Sequence, residues 1–317
     1  MLAKPNILFW RGTGIWAIID QGIFAVSNFL LSLLLARWLN PQEYGAFAVA
    51  FTIFLLLGNV HAGLLIEPML VFGKGKYQHC QKGYLEILQY GHWIFAAAGS
   101  LLFMASGSAV WYGGMELLAM SLWGFALAGP FILFLWLMRR FCYVQLKPEL
   151  AARVGGLYFV LMVLGIAVLH RHELLSAFSA LCVIGMASLG SSIWLFRRFK
   201  IENRSSTFNE LKGNILRDHR KYGGWAASTN VLMWFPGNIY FILLPAIAGL
   251  EAAGALKALL NLIMPIQQSF AALATILIPI LVTTRGKPGY MNLVYSTLLL
   301  FGSSAVFFWC LLFSPVH

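Results

Sequence analysis

Charged residues are scarce in this sequence, and acidic ones scarcest. Asp, Glu, Lys and Arg together make up 10% of the 317 residues, and only 11 residues are Asp or Glu. A soluble globular domain carries about 25% charged residues, so this chain cannot clothe a water-facing surface. Cysteine is also sparse. Cys80, Cys142, Cys182 and Cys310 form no CxxC or CxxH spacing, which offers no metal site and no disulfide framework. A phosphate-cradling Gly-x-x-x-x-Gly-Lys-Ser/Thr loop is missing too, so no bound nucleotide or other cofactor is expected. Strands of a transmembrane barrel would alternate polar and apolar residues over about 10 positions, and that alternation is lacking.

Apolar residues fill the space. They make up 60% of the chain, and the mean hydropathy is +0.78. At least eight stretches reach about 20 residues, the length that crosses a bilayer core. The fold class is therefore all-α, a polytopic bundle of transmembrane helices. The first run is too long for a signal peptide and contains Asp20, so it reads as a retained helix.

Nine spans are expected, near 15–38, 45–72, 91–112, 116–137, 154–170, 174–196, 224–249, 252–282 and 290–313. With the N-terminus cytoplasmic, all but three of the 22 Lys and Arg fall on the inside; the exceptions are Arg37, Arg171 and Lys257. This asymmetry supports both the orientation and the span count. It also explains the net charge of +11 by cytoplasmic loops rather than by nucleic acid. A basic stretch, Arg197 to Lys221, divides the chain into a six-helix lobe (1–200), a cytoplasmic linker (201–223) and a three-helix partial lobe (224–317). The linker reads as a solvated segment near anionic headgroups, with a dedicated lipid or partner site as the alternative.

The segment Leu39-Asn40-Pro41-Gln42-Glu43-Tyr44-Gly45 opens the second span, and Gly249-Leu250-Glu251-Ala252-Ala253-Gly254 opens the eighth. Superposing Gly45 on Gly254 gives an offset of 209 residues. Six intervening spans make both copies cross in the same direction, which implies two parallel lobes about an axis along the membrane normal. On that reading the chain, ending at His317, stops three helices short of a complete second lobe.

The stretches Asp20-Gln21-Gly22, Ser27-Asn28-Phe29-Leu30-Leu31, Ala36-Arg37-Trp38-Leu39-Asn40-Pro41-Gln42-Glu43-Tyr44-Gly45 and Glu67-Pro68-Met69 resemble the N-terminal helices of polysaccharide biosynthesis flippases. These are the O-antigen and exopolysaccharide translocases of the multidrug/oligosaccharidyl-lipid/polysaccharide exporter superfamily. The resemblance implies two six-helix lobes around a central cavity, a bacterial inner-membrane location, and a polyprenyl-pyrophosphate-linked oligosaccharide as substrate. It also implies an ion gradient as the energy source.

Ionisable groups inside a bilayer cost about 2.5–3.5 kcal/mol or more and face cavities or one another. Asp20, Ser27 and Asn28 form one polar stripe on the first helix. It is read as a cavity wall or proton site, with an interfacial carboxylate at the helix N-terminus as the alternative. Glu67 precedes Pro68, which ends or kinks its helix; it is a second candidate for ion coupling, or else a capping group. His61 reads as a packed histidine donating to a carbonyl. Lys257, Asn261 and Gln268 share one face of the eighth helix with Met264. A cation and two amides suit a pyrophosphate and sugar hydroxyls, unless Lys257 snorkels outward while the amides bond neighbouring helices. Pro236-Gly237 near mid-membrane is a hinge candidate or a static bend. The two polar stripes are expected to line one cavity.

Translocation of lipid-linked oligosaccharide by alternating access is the leading expectation, with no bond chemistry. Membrane lipids, and a polysaccharide polymerase or other assembly proteins, are the expected partners. A membrane-embedded sugar polymerase or acyltransferase would need large outside loops with catalytic Arg or His, and these loops are short. A drug/cation antiporter of the same superfamily would favour several deep carboxylates in the first lobe, where only Asp20 and Glu67 are available. A non-transporting assembly partner is the remaining alternative.

Overall fold

A computed structural model of the chain describes residues 7–199 and 208–284 and scattered positions between 291 and 303. The described residues are mostly helical, with no strand among them. The chain divides into two units, Met1–Ala258 and Leu259–His317. In the first, α1 (Ile7–Trp38) is followed by α2 (Pro41–His61), a π-helical turn (Ala62–Ile66) and α3 (Glu67–Phe72). Then come α4 (Gln81–Tyr112), α5 (Glu116–Val144), α6 (Pro148–Arg171), α7 (Ala177–Phe199) and the start of α8 (Phe208–Thr284). The second unit holds the rest of α8 and helical positions between 291 and 303.

Among the described residues, seven helical stretches are long and apolar enough to cross a membrane. This is a polytopic helical membrane bundle. The seventh stretch, Lys212–Met264, has 53 residues, roughly 80 Å at 1.5 Å per residue, against a hydrocarbon core of about 30 Å. Gly249 breaks it, with φ 82° and ψ 172°. The expected seventh and eighth spans are thus two helices that meet at a single glycine, Gly249. The expected ninth span lies largely outside the described residues. Two boundaries move in a way that matters below. The fourth span continues to Val144 and carries Arg139, expected in a loop, inside the helix; the second contains a π-turn rather than running as one α-helix.

Local chemistry sets the helix starts. Asn40 Oδ1 accepts from Glu43 N at 2.8 Å, with Pro41 at the first helical position, the N-cap pattern of a short polar side chain before a proline. Glu43 Oε1 accepts the Ala177 backbone N–H at 2.7 Å, so one side chain serves the starts of α2 and α7. Ser176 and Ser179 exchange bonds at the α7 start, each backbone N–H donating to the other's hydroxyl.

α5 is the hub of the first unit. Two-thirds of its apolar window is buried, and glycines let its neighbours close on it. A Cβ on Gly185 of α7 would sit 2.9 Å from Ala128 Cα, and one on Gly58 of α2 would sit 2.8 Å from the Trp136 ring. Small residues at such crossings supply the dispersion contact that drives helix association in lipid. Phe47, Phe51, Phe54 and Phe125 stack where α2 meets α5.

The internal repeat acquires a geometric meaning here. A Cβ on Gly45 would collide with the Leu250 carbonyl, and one on Gly254 would sit 3.0 Å from Pro41 O. Pro41 and Leu250 stand at the same 209-residue offset as Gly45 and Gly254. The contact is therefore reciprocal, as at an isologous two-fold. Gly249, just before Leu250, occupies the place that the N-cap Asn40 holds before Pro41.

Candidate functional site

Asp20 lies in α1, 1% exposed. Because α5 runs on to Val144, Arg139 and Tyr143 fall one turn apart on the same helix face, and both reach it. Arg139 Nη2 donates to Asp20 Oδ1 at 2.6 Å and Tyr143 Oη to Oδ2 at 2.7 Å. Gly155 of α6 faces the carboxylate, and a Cβ there would stand 3.5 Å from Oδ1, at ordinary contact distance. The guanidinium carbon of Arg139 also lies 4.4 Å from the Phe24 ring centroid. The group read from sequence as a cavity wall, proton site or interfacial carboxylate is thus one half of a buried, hydrogen-bonded ion pair.

Asp20 opens on a cavity of about 430 Å³ that also takes in Phe24, Glu67, Trp136, Arg139 and Arg140. The structure brings the two carboxylates proposed for ion coupling to one wall. Glu67 Oε1 accepts from Asn230 Nδ2 of α8 at 2.7 Å, and the same amide reaches Asn59 O at 3.3 Å. Arg140 is exposed. Two acids, two guanidinium groups and two aromatic faces make a site suited to a charged head with an apolar attachment.

The π-turn before Glu67 is what ties this wall to α8. Glu67 N bonds back to Ala62 O, and Pro68 has no N–H to offer, so carbonyls of this turn need donors from elsewhere. His219 Nδ1 lies 3.0 Å from Leu64 O, and its Nε2 is 2.7 Å from Tyr84 Oη. A carbonyl can only accept, so Nδ1 carries the proton and Nε2 accepts from the tyrosine. Next to it Asp218 accepts from Lys76 Nζ and Tyr77 Oη, each at 2.6 Å. Burial and the Asp218 carboxylate push the Tyr77 phenol above its ordinary value. Gly63 packs directly on the Ala227 backbone, and Gly223 on Gly63 and Leu64. Pro68 does not end the helix; after the π-turn it runs on to Phe72.

His61 differs from its expected role. Its Nε2 is 3.0 Å from His92 Nδ1, both rings are fully buried, and Phe95 and Phe134 flank them. It is bonded to a second histidine rather than to a carbonyl.

The remaining sequence-selected residues are more dispersed. Ser27 turns its hydroxyl back to Ile23 O at 2.7 Å. Asn28 lines a separate aromatic void of about 30 Å³ together with Phe47, Phe51 and Trp136, room for about one water and none for a sugar. Lys257 Nζ sits 5.0 Å from the Phe51 ring centroid and 5.9 Å from that of Phe241, so Asn28 and Lys257 flank one phenylalanine. Asn261 is buried and belongs to the second unit. The Gln268 side chain lies outside the described residues. The backbone is helical through Pro236 and Gly237, and it leaves the helical region at Gly249. Sequence reasoning missed Arg139, Tyr143, His92 and His219. An Arg and a Tyr four residues apart, continuing an apolar helix, were the available signal for the first two.

No family model matches the sequence, and no curated protein matches it. Among solved structures, two have the same fold. One, described as "protein A", superposes with a TM-score of 0.66 at 13% identity, over 83% of this chain and 62% of its own length. The other is the MATE multidrug transporter DinF-BH, solved in complex with a ligand. It superposes with a TM-score of 0.64 at 13% identity, over 96% of this chain and 71% of its own length. The chain thus spans less than two-thirds of the first structure.

Proposed function

We propose that this protein is a transporter that carries polyprenyl-pyrophosphate-linked oligosaccharide across the bacterial inner membrane for surface polysaccharide assembly. The observation that carries the reading is the Asp20 cavity. Arg139 already neutralises Asp20, which leaves Arg140 exposed beside Phe24 and Trp136. A planar guanidinium suits phosphate oxygens, and the aromatic faces suit the apolar surface of sugar rings or a polyprenyl stem. The transporter fold and the resemblance of residues 36–45 to polysaccharide flippases support it. In this reading the N-terminus is cytoplasmic, no covalent bond changes, and two lobes expose the head alternately to each side.

One observation favours a second reading, cation-coupled drug export. Asp20 and Glu67 share one cavity, and one structure with this fold is a multidrug transporter. Expression in a bacterium lacking its own lipid-linked oligosaccharide translocase separates the two. Restored surface polysaccharide, reduced at least tenfold by Arg140→Gln at equal membrane abundance, is the expected result. Resistance to lipophilic cations without restored polysaccharide would overturn it in favour of drug export.

A further inference from the structure

The amino-terminal part of α8 presents two unlike faces. Ile215, His219, Ala226, Ala227 and Trp234 are buried within the first unit, and the Asp218 and His219 bonds to Lys76, Tyr77, Tyr84 and Leu64 fix the rotation of the helix. The opposite face carries Arg217, Arg220 and Lys221, around a groove of about 570 Å³. Asp218, the neighbouring acid, is half-buried at the flank of this face and is engaged by Lys76 and Tyr77. Its carboxylate also feels Arg217, so with Lys76 and Tyr77 already bonded to it, it offsets only part of the charge of the three cations. Arg217 is steadied by Asn214, whose Oδ1 accepts from Nη2 at 2.9 Å.

Below the cations the same stripe turns apolar. Arg217, Lys221, Trp225 and Leu232 follow at spacings of four, four and seven, within about 80° of one face at 100° per residue. Trp225 is 79% exposed and Leu232 73%. Leu232 lies about 16 Å along the axis from Lys221. Cations, then an indole, then leucine is the order in which a phospholipid presents phosphate, glycerol region and acyl chain.

We propose that Arg217, Arg220 and Lys221 form a binding site for the phosphate head of an anionic phospholipid, whose acyl chain lies along Trp225 and Leu232. This goes beyond the transport reading, because the site is on the outward face of α8 and uses none of the Asp20 cavity. Its occupant is a structural lipid of the leaflet that faces the Lys/Arg-rich connections.

The test is Trp225 fluorescence in the full chain reconstituted into phosphatidylcholine vesicles. Either phosphatidylglycerol or phosphatidylcholine is brominated at the same mole fraction, and the quenching component lost in Trp225→Phe is taken as that of Trp225. Brominated phosphatidylglycerol should quench it several-fold more effectively. The preference should fall toward parity as the cations are neutralised in the series Arg217→Gln, Arg220→Gln, Lys221→Gln. The charge-keeping double variant Arg217→Lys/Arg220→Lys should retain the preference, which separates charge from misfolding. Equal quenching by the two lipids in the unmodified chain would overturn the proposal. So would relief of quenching by an equal mole fraction of unbrominated polyprenyl phosphate, which would make the site one for the carried lipid.

Discussion

At the scale of single residues, charge inside this bundle is placed by partners rather than by depth. Asp20 and Arg139 lie 119 positions apart and meet at 2.6 Å, both nearly inaccessible. Such a pair contributes little net stability relative to a well-packed apolar pair, yet removing one member leaves the other buried and uncompensated, at about 3–5 kcal/mol. Asp20→Ala should therefore lower stability by that amount, whereas Asp20→Leu with Arg139→Met should recover most of it. Thermal unfolding of the detergent-solubilised protein is the measurement. Equal losses in the single and double variants would mean that the ion pair is not what the substitution breaks. The same reasoning bears on transport, since an Asp20 held by Arg139 and Tyr143 must lose those bonds before it can take up a coupling ion.

At the scale of elements, irregular backbone is concentrated where helices exchange partners. The π-turn after His61 displaces main-chain bonding by one residue, and α8 supplies His219 to Leu64 in return. Pro236-Gly237 shows the contrast. Nothing lies within 4 Å of a Cβ placed on Gly237, and its φ is not in the left-handed region. Gly237→Ala should then stabilise the helix by about 0.5–1 kcal/mol, read as a rise in unfolding temperature. If transport falls while stability rises, Gly237 serves as a moving hinge; if neither changes, the expected hinge is a passive position. Gly249, with φ at 82°, is different: a side chain there is strained whatever the space around it.

At the scale of the whole molecule, the first-unit contact at Gly45 and Gly254 and the distribution of Lys and Arg each make a claim about architecture. Because the contact is reciprocal, alanine at either position should weaken the same crossing. Gly45→Ala should do so more, since its Cβ collides with the Leu250 carbonyl while that of Gly254 meets Pro41 O at 3.0 Å. Folded yield and unfolding temperature after detergent extraction would show the order, and a neutral Gly45→Ala would count against the close approach. The charge asymmetry predicts opposite sides for two connections. A periplasm-active reporter inserted at Gly114 should be active and one at Lys74 inactive; the reverse pattern would invert the proposed orientation.

The sequence by itself determined the membrane class, the helical content and the register of the repeat. Apolar length, charge scarcity and a recurrent Gly after a turn are local properties, and in a bilayer each helix satisfies its own backbone. It marked Asp20, Glu67 and Lys257 as unusual for the same reason, because a charge within an apolar run stands out whatever surrounds it. Partnership was decided only by tertiary packing. That Arg139 belongs to a span and closes on Asp20, that Glu67 shares the Asp20 wall, that His61 bonds His92, and that the α8 break falls at Gly249 all depend on which helix faces which. Helix–helix choice in lipid rests on close fit and interhelical hydrogen bonds rather than on hydropathy, and neither leaves a period in the sequence.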